Sequence, residues 1–85
     1  MTPYHKVIWK SIDRILLEVW DPLELGGIAP ADEYQSYVPA VFSLKIGNAS
    51  LDQIADHLLE VEKSKLGLEG EERRCRNAAM KIIRL

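Results

Sequence analysis

The stretch Ser50-Leu51-Asp52-Gln53-Ile54-Ala55-Asp56-His57-Leu58-Leu59-Glu60-Val61-Glu62-Lys63-Ser64-Lys65-Leu66-Gly67 carries the plainest structural instruction in the chain. Ser50 followed by Gln53 has the Ser-x-x-Gln form of a capping box, in which each residue satisfies a free amide of the other at a helix start. Leu51, Ile54, Ala55, Leu58, Leu59, Val61 and Leu66 share one face at helical spacing, with Asp52, Asp56 and Glu60 opposite. Gly67 followed by Leu68 fits a glycine C-cap with its hydrophobic contact. The spacing therefore predicts an amphipathic helix from Leu51 to about Leu66. One residue breaks the pattern: Glu62 projects to the middle of the apolar face. An unpaired buried carboxylate costs several kcal/mol. Either that end of the helix overhangs the core, or Glu62 has a partner such as an arginine, a tyrosine hydroxyl or an indole N–H, and a structural ion pair outweighs catalysis as its reading.

Working outward, residues 71–84 read as a last helix. Gly70 separates it from the one before, Glu71 and Glu72 lie in its first turn, and Lys81 and Arg84 lie near its end, all favourable for the helix dipole. Cys75, Ala78, Ala79, Ile82 and Ile83 share a face whose small residues permit close approach to a neighbour. On the N-terminal side, Asp32 suits a cap and Glu33 a first turn, but Pro39 opposes one continuous helix. A short turn over 32–37 and a helix over 38–46 follow, ended by Gly47-Asn48. Val38, Ala40, Val41, Phe42, Leu44 and Ile46 point in nearly every direction, so this helix is expected to be the most buried of the set.

The first helix spans residues 4–19. Ile8, Ile12, Ile15, Leu16 and Val19 form its apolar face, with Lys6, Lys10, Asp13, Arg14 and Glu18 opposite and Pro3 in the first turn. Trp9 and Trp20 fall at the edge of the apolar face, where a large ring is half buried. Val7 and Leu17 project to the polar side and hint at a contact surface. Pro22, Gly26, Gly27 and Pro30 force a loop over 21–31, and Leu23, Leu25 and Ile28 suggest that it packs on the core. No alternating strand pattern and no repeat is present. The expected fold is all-α: one domain over 1–85, a compact four-helix bundle with a long Pro/Gly-containing loop after the first helix.

The chain has 85 residues, 47% hydrophobic and 28% charged, with a net charge of −2. This is the composition of a folded domain with one modest core. The charge balance argues against wrapping nucleic acid through phosphates. A single cysteine, Cys75, is no disulfide framework, and Lys10, Asp13, Arg14 and Glu18 break up the first apolar stretch, so a signal peptide or membrane span does not fit; a reducing cytoplasm is the expected compartment. His5 and His57 lack partners at ligand spacing and read as solvated, so no metal and no cofactor is expected. Cys75 has arginines at 73, 74 and 76 as neighbours, but its place on the apolar face makes it a small buried hydrophobe. Gly26-Gly27 lacks the frame of a phosphate loop. Ser50–Leu59 superficially resembles the first helix of a helix-turn-helix, yet the helix runs on past the position where the turn must come. Arg73, Arg74, Arg76, Lys81 and Arg84 make the last helix basic on its outer side. The reading is a solvated face, in part paired with the acidic face of the preceding helix, with weak nucleic-acid binding as an alternative.

The best candidate for recognition is the polar-aromatic run Asp32-Glu33-Tyr34-Gln35-Ser36-Tyr37 beside Trp20-Asp21-Pro22. Against it stands the reading that the tyrosines plug the bundle end while the acids cap the next helix. Trp20-Asp21-Pro22-Leu23, Asp32-Glu33-Tyr34-x-x-Tyr37-Val38-Pro39, the Ile54-Ala55-x-x-Leu58 helix with Glu62, and Leu66-Gly67-Leu68 together resemble a family of small bacterial helical proteins of unknown function. Its members carry W-D-P-[I/L], D-E-Y-x-x-Y-[V/I]-P and a terminal [M/L]-G-L. The resemblance brings no catalytic residues, and it implies a protein-binding role, in one form as a toxin-immunity factor. It singles out Trp20, Asp21, Asp32, Tyr34, Tyr37 and Glu62. With Glu33 added, these form the expected interaction surface of a non-enzymatic protein-binding module. The alternative is a small-molecule binder or enzyme in which Asp21, Asp32, Glu33 and Glu62 converge on one pocket.

Overall fold

The capping box forms as its spacing predicts. Ser50 Oγ accepts the Gln53 amide at 3.1 Å, and Gln53 Oε1 accepts the Ser50 amide at 2.8 Å. The computed structural model describes residues 1–28 and 30–85, so the expected 21–31 loop falls outside the described residues at position 29. Its helices are α1 (Pro3–Ile15), which continues as a π-helical turn (Leu16–Trp20), α2 (Val38–Ile46), α3 (Leu51–Ser64) and α4 (Glu72–Ile83). Short 3₁₀ turns cover Gly26–Ile28 and Gln35–Tyr37. Among the described residues there is no strand. The fold is all-α with four helices around one core, and its radius of gyration of 11.9 Å is that of a close-packed chain of this length, about 12 Å.

The core joins the apolar faces read from the sequence. Ile8, Ile12 and Ile15 of α1 meet Ile54, Ala55, Leu58 and Val61 of α3 and Cys75, Ala78, Ala79 and Ile82 of α4. Packing is most extensive between α3 and α4, where Cys75, Ala78 and Ala79 are wholly buried and their small side chains let the two backbones approach. The connection between these helices depends on glycine twice. Gly67 takes φ +67° just past the end of α3, a left-handed turn that L-residues adopt only with strain. Gly70 has φ +94°, and a Cβ there would lie 2.8 Å from Leu59 Cδ1 and 3.0 Å from Lys63 Cε. Lys45 Nζ donates to the Ile83 carbonyl at 2.9 Å, tying the end of α2 to the end of α4.

Several expectations are corrected. The most buried helix is not α2: Val38 and Val41 are buried, but Ala40 and Ile46 face solvent. Its apolar residues do point all round, but α2 is short and lies at the periphery against α1 and α3, so one side has nothing to cover it. The 21–31 loop is anchored mainly by its polar groups: Pro22 is buried and Leu25 half buried, but Leu23 is exposed and Ile28 is 88% exposed. The histidines are less solvated than their positions suggest. His5 packs edge-on against Phe42, with ring centroids 5.6 Å apart, and His57 is half buried, which holds its pKa below the ordinary histidine value. Leu17 is half buried against the core, whereas Val7 stays exposed at 62%.

Ser50→Ala is expected to cost about 1 kcal/mol through loss of the side-chain half of the box. That corresponds to a drop in Tm of roughly 4–8 °C for a domain of this size. A thermal melt of the variant that overlays the wild type would show that the box contributes nothing.

Candidate functional site

Glu62 is fully buried, and the reason the chain tolerates it lies in its donors. Oε2 accepts the Trp20 indole N–H at 2.8 Å and the Cys75 thiol at 3.0 Å. Oε1 accepts the Glu71 amide at 2.9 Å and Arg74 Nη2 at 3.0 Å. A carboxylate has about four lone-pair sites, so this set fills it. The sequence expectation of an arginine or an indole as partner is met by both at once. Burial pulls the Glu62 carboxyl toward the neutral form, but Arg74 first, then Cys75, the Glu71 amide and Trp20, outweigh burial and hold its pKa below the ordinary glutamate range.

Each donor arrives for a local reason. At ~100° per residue, an unbroken α-helix would carry Trp20 about 120° from Ile8, off the core face. The π-helical turn, closed by the Asp21 amide donating to the Leu16 carbonyl at 2.9 Å, advances less per residue and swings the ring back inward. Trp20 is therefore completely buried rather than half buried at the edge. Arg74 lies at the flank of the α4 apolar face, one turn after Glu71. Glu71 caps α4 by accepting the Arg73 and Arg74 amides at 3.2 and 3.0 Å while its own amide turns to Glu62. On the other side of Glu62, the Leu68 amide donates to its backbone carbonyl at 2.8 Å, so the α3 C-terminal turn fixes the residue at both ends.

A second polar junction adjoins the first. Asp21 takes φ 29°, a left-handed conformation in which Asp is among the better-tolerated residues. Its carboxylate accepts the Leu25 amide at 3.1 Å, the Gly26 amide at 2.8 Å and the Tyr34 hydroxyl at 2.6 Å. The Leu23 amide donates to that same hydroxyl at 3.2 Å. Burial raises the Asp21 pKa, but Tyr34 and the two amides outweigh it and the carboxyl ends below its usual range. The Tyr34 ring lies 5.4 Å from Trp20, and Tyr37 meets Trp20 edge-on at 5.8 Å.

Trp20, Asp21, Tyr34, Tyr37 and Glu62 thus gather at one end of the helices, as a buried junction rather than an open surface. Asp32 and Glu33 do not join it; Asp32 points to solvent, and α2 begins at Tyr37 with no side-chain cap, so the acids do not cap that helix. The tyrosines do plug the bundle end. The acidic pocket does not assemble: Asp21 and Glu62 are engaged by their donors, Glu62 has no exposure, and among the described residues neither Asp32 nor Glu33 shares a hydrogen-bond partner with them. Sequence reading missed Arg74 and the donor role of Cys75. Arg74 is not one of the outward cations: its place beside the α4 apolar face, on the side of Glu71, is the signal that separates it from Arg73. Of the α4 cations, Arg74 serves Glu62 and Arg76 pairs with Asp52 at 2.8 Å, which leaves a weaker basic face for nucleic acid. Among the described residues no three His, Cys, Asp or Glu side chains gather as metal ligands, and no helix is long and apolar enough to cross a membrane.

No family model, curated protein or solved structure matches this chain. The W-D-P-L and D-E-Y-x-x-Y-V-P motifs therefore have to be read from their contacts. Four of their residues, Trp20, Asp21, Tyr34 and Tyr37, build the junction that seats the loop after α1. The loop holds two apolar side chains outward, Leu23 and Ile28 at 38% and 88% exposure, beside the exposed carboxylate of Glu24. The Cys75 thiol is no nucleophile in this setting, because burial first and the adjacent Glu62 second push its pKa up to about 12.

The junction sets the pH range of stability. Glu62 and Asp21 have lowered folded pKa values, so their contribution is present above the unfolded carboxylate range and is lost as pH falls through the folded values. Cys75 has a raised pKa of about 12, so its contribution is complete below the unfolded thiol value and is lost as pH rises toward the folded one. Melts followed by circular dichroism are expected to be level from about pH 7 to pH 8, to fall on the acid side first as His57 is forced to take up a proton and then as the carboxylates are neutralised, and to fall on the alkaline side as well. A Tm at about pH 3 equal to that at about pH 7 would contradict the ionised, fully bonded Glu62.

Proposed function

We propose that this chain is a non-enzymatic protein-binding module, acting through the loop that follows α1. The observation that carries this reading is the placement of Ile28. A branched apolar side chain 88% exposed stands two residues after Gly26, whose amide is held by Asp21 at 2.8 Å. Polar anchors at the loop base and apolar side chains at its crest match the anatomy of a recognition surface, where an apolar centre is ringed by polar groups. The filled coordination of Glu62 supports the non-enzymatic part, since a catalytic carboxylate needs a free position for its proton or substrate. An immunity-type inhibitor, as the motif resemblance implies, is one form of such a module.

The test is a comparison of immobilised wild type, Ile28→Asp and the surface control Asp56→Ala against lysate of the source organism, with retained proteins quantified by mass spectrometry. A protein retained by the wild type and the control, and reduced about tenfold or more by Ile28→Asp, supports the reading; tenfold corresponds to ~1.4 kcal/mol. Identical retention by all three would overturn it.

A further inference from the structure

A groove of about 430 Å³ opens along α1, lined by Val7, Lys10, Ser11, Arg14 and Ile15 and by Leu85 beyond α4. Its volume is in the lower part of the range for ligand sites, roughly 300–1,000 Å³. It is open to solvent along its length, which suits a side chain presented by another surface better than an enclosed small molecule. Val7, Ile15 and Leu85 supply apolar walls, and Lys10 and Arg14 supply positive charge. No acidic side chain lines it, although acids outnumber bases in the chain by 13 to 11. Arg14 pairs with Glu18 at 4.0 Å with both side chains well exposed, a contact worth little and readily exchanged.

The chain also contains the complement of this groove. From Asp21 to Leu44 every charged residue is acidic: Asp21, Glu24, Asp32 and Glu33. Asp21 is consumed at the loop base, but the Glu24 side chain is 84% exposed and Asp32 is exposed. Between them stands Ile28, which buries almost nothing in its own chain. An apolar knob flanked by exposed carboxylates thus faces outward on one part of the surface, with Glu24 held only by a long 3.9 Å contact to Arg74, and an apolar slot flanked by cations lies on another. We infer that the Ile28 loop of one copy docks head-to-tail into the groove between α1 and Leu85 of a second copy. Ile28 would enter among Val7, Ile15 and Leu85, with Glu24 and Asp32 beside Lys10 and Arg14. The two faces differ, so the contact is heterologous: a pair of copies keeps one free knob and one free slot between them, and association continues until a ring closes or a chain runs on. A contact of this size belongs to the weak class, with Kd in roughly the micromolar to millimolar range.

The test is sedimentation equilibrium of the full chain across that concentration range, at low and high salt. The wild type is expected to show an average mass that rises with concentration, and to return toward the monomer as salt screens the charges. Ile28→Asp and the double variant Lys10→Glu/Arg14→Glu, both folded by circular dichroism, are each expected to stay monomeric where the wild type associates. Mixed one to one, the two variants are expected to form a dimer and nothing larger, because each supplies the half that the other lacks. A monomeric wild type throughout, self-association unchanged in either variant, or a mixture that remains monomeric would each overturn the inference. It goes beyond the proposed function and fails separately from it: a monomeric chain that still loses a retained protein on Ile28→Asp would leave that function standing, with a different protein on the loop.

Discussion

Glu62→Gln is expected to destabilise the protein by about 3–5 kcal/mol, the usual consequence of removing one partner of a buried ion pair. The substitution preserves shape but not bonding. A carboxamide has one carbonyl oxygen to accept with, while its NH₂ would face donors on one side of the site, either Trp20 and Cys75 or the Glu71 amide and Arg74. Arg74, whose side chain is only 19% exposed, would also lose its buried counter-charge. Set against the roughly 4–13 kcal/mol expected for 85 residues at 0.05–0.15 kcal/mol per residue, the loss is a large share of the whole, and Tm should fall by about 15–30 °C. Urea denaturation of Glu62→Gln, Arg74→Met and the double variant measures the coupling. The double variant should be less destabilised than the sum of the singles, because each single strands a charge or donor that the double removes. Strict additivity would show that the two groups do not act on each other.

Trp20→Ala is expected to cost about 3–5 kcal/mol by a different route. It empties the space that the indole fills beside Tyr34 and Tyr37, and it opens Glu62 to water. Trp20→Phe separates the two contributions: it keeps most of the ring and removes only the N–H donor, so its cost should be about 1–3 kcal/mol. Trp9, half buried against Phe42, remains as the fluorescent reporter in both variants. A Trp20→Phe variant as unstable as Trp20→Ala would assign the effect to the hydrogen bond; one as stable as the wild type would assign it to packing.

The helices were legible wherever capping chemistry and periodicity agreed. Ser50 and Gln53 marked the start of α3, the 38–46 helix followed from Pro39 and Gly47, and the small-residue face of α4 announced its close packing. The junction was half legible. A carboxylate in the middle of an apolar face, as at Glu62, is a conflict that only a partner resolves, and an indole and an arginine were among the partners expected. What failed to show was anything set by three-dimensional offset. The π-helical turn that rotates Trp20 inward leaves no mark in an α-helical projection, so Trp20 looked peripheral. Arg74 sits among four other cations near or along α4, and its inward course depends on where Glu62 is placed by another helix. The α2 expectation failed because apolar composition says how much surface a helix can bury, not whether neighbours exist to cover it. Asp32 and Glu33 carried weight as members of a motif, yet the contacts of that motif run through Tyr34 and Tyr37.

The shell around Glu62 also imposes an order of assembly. Its donors from Glu71, Arg74 and Cys75 lie 9, 12 and 13 residues away along the chain, whereas Trp20 lies 42 away. Closing the longer segment costs more chain entropy, so the α3–α4 hairpin should gather most of the shell early, leaving an oxygen to be reached when the first helix docks. Changes at Arg74 would then slow folding, and changes at Trp20 would chiefly hasten unfolding.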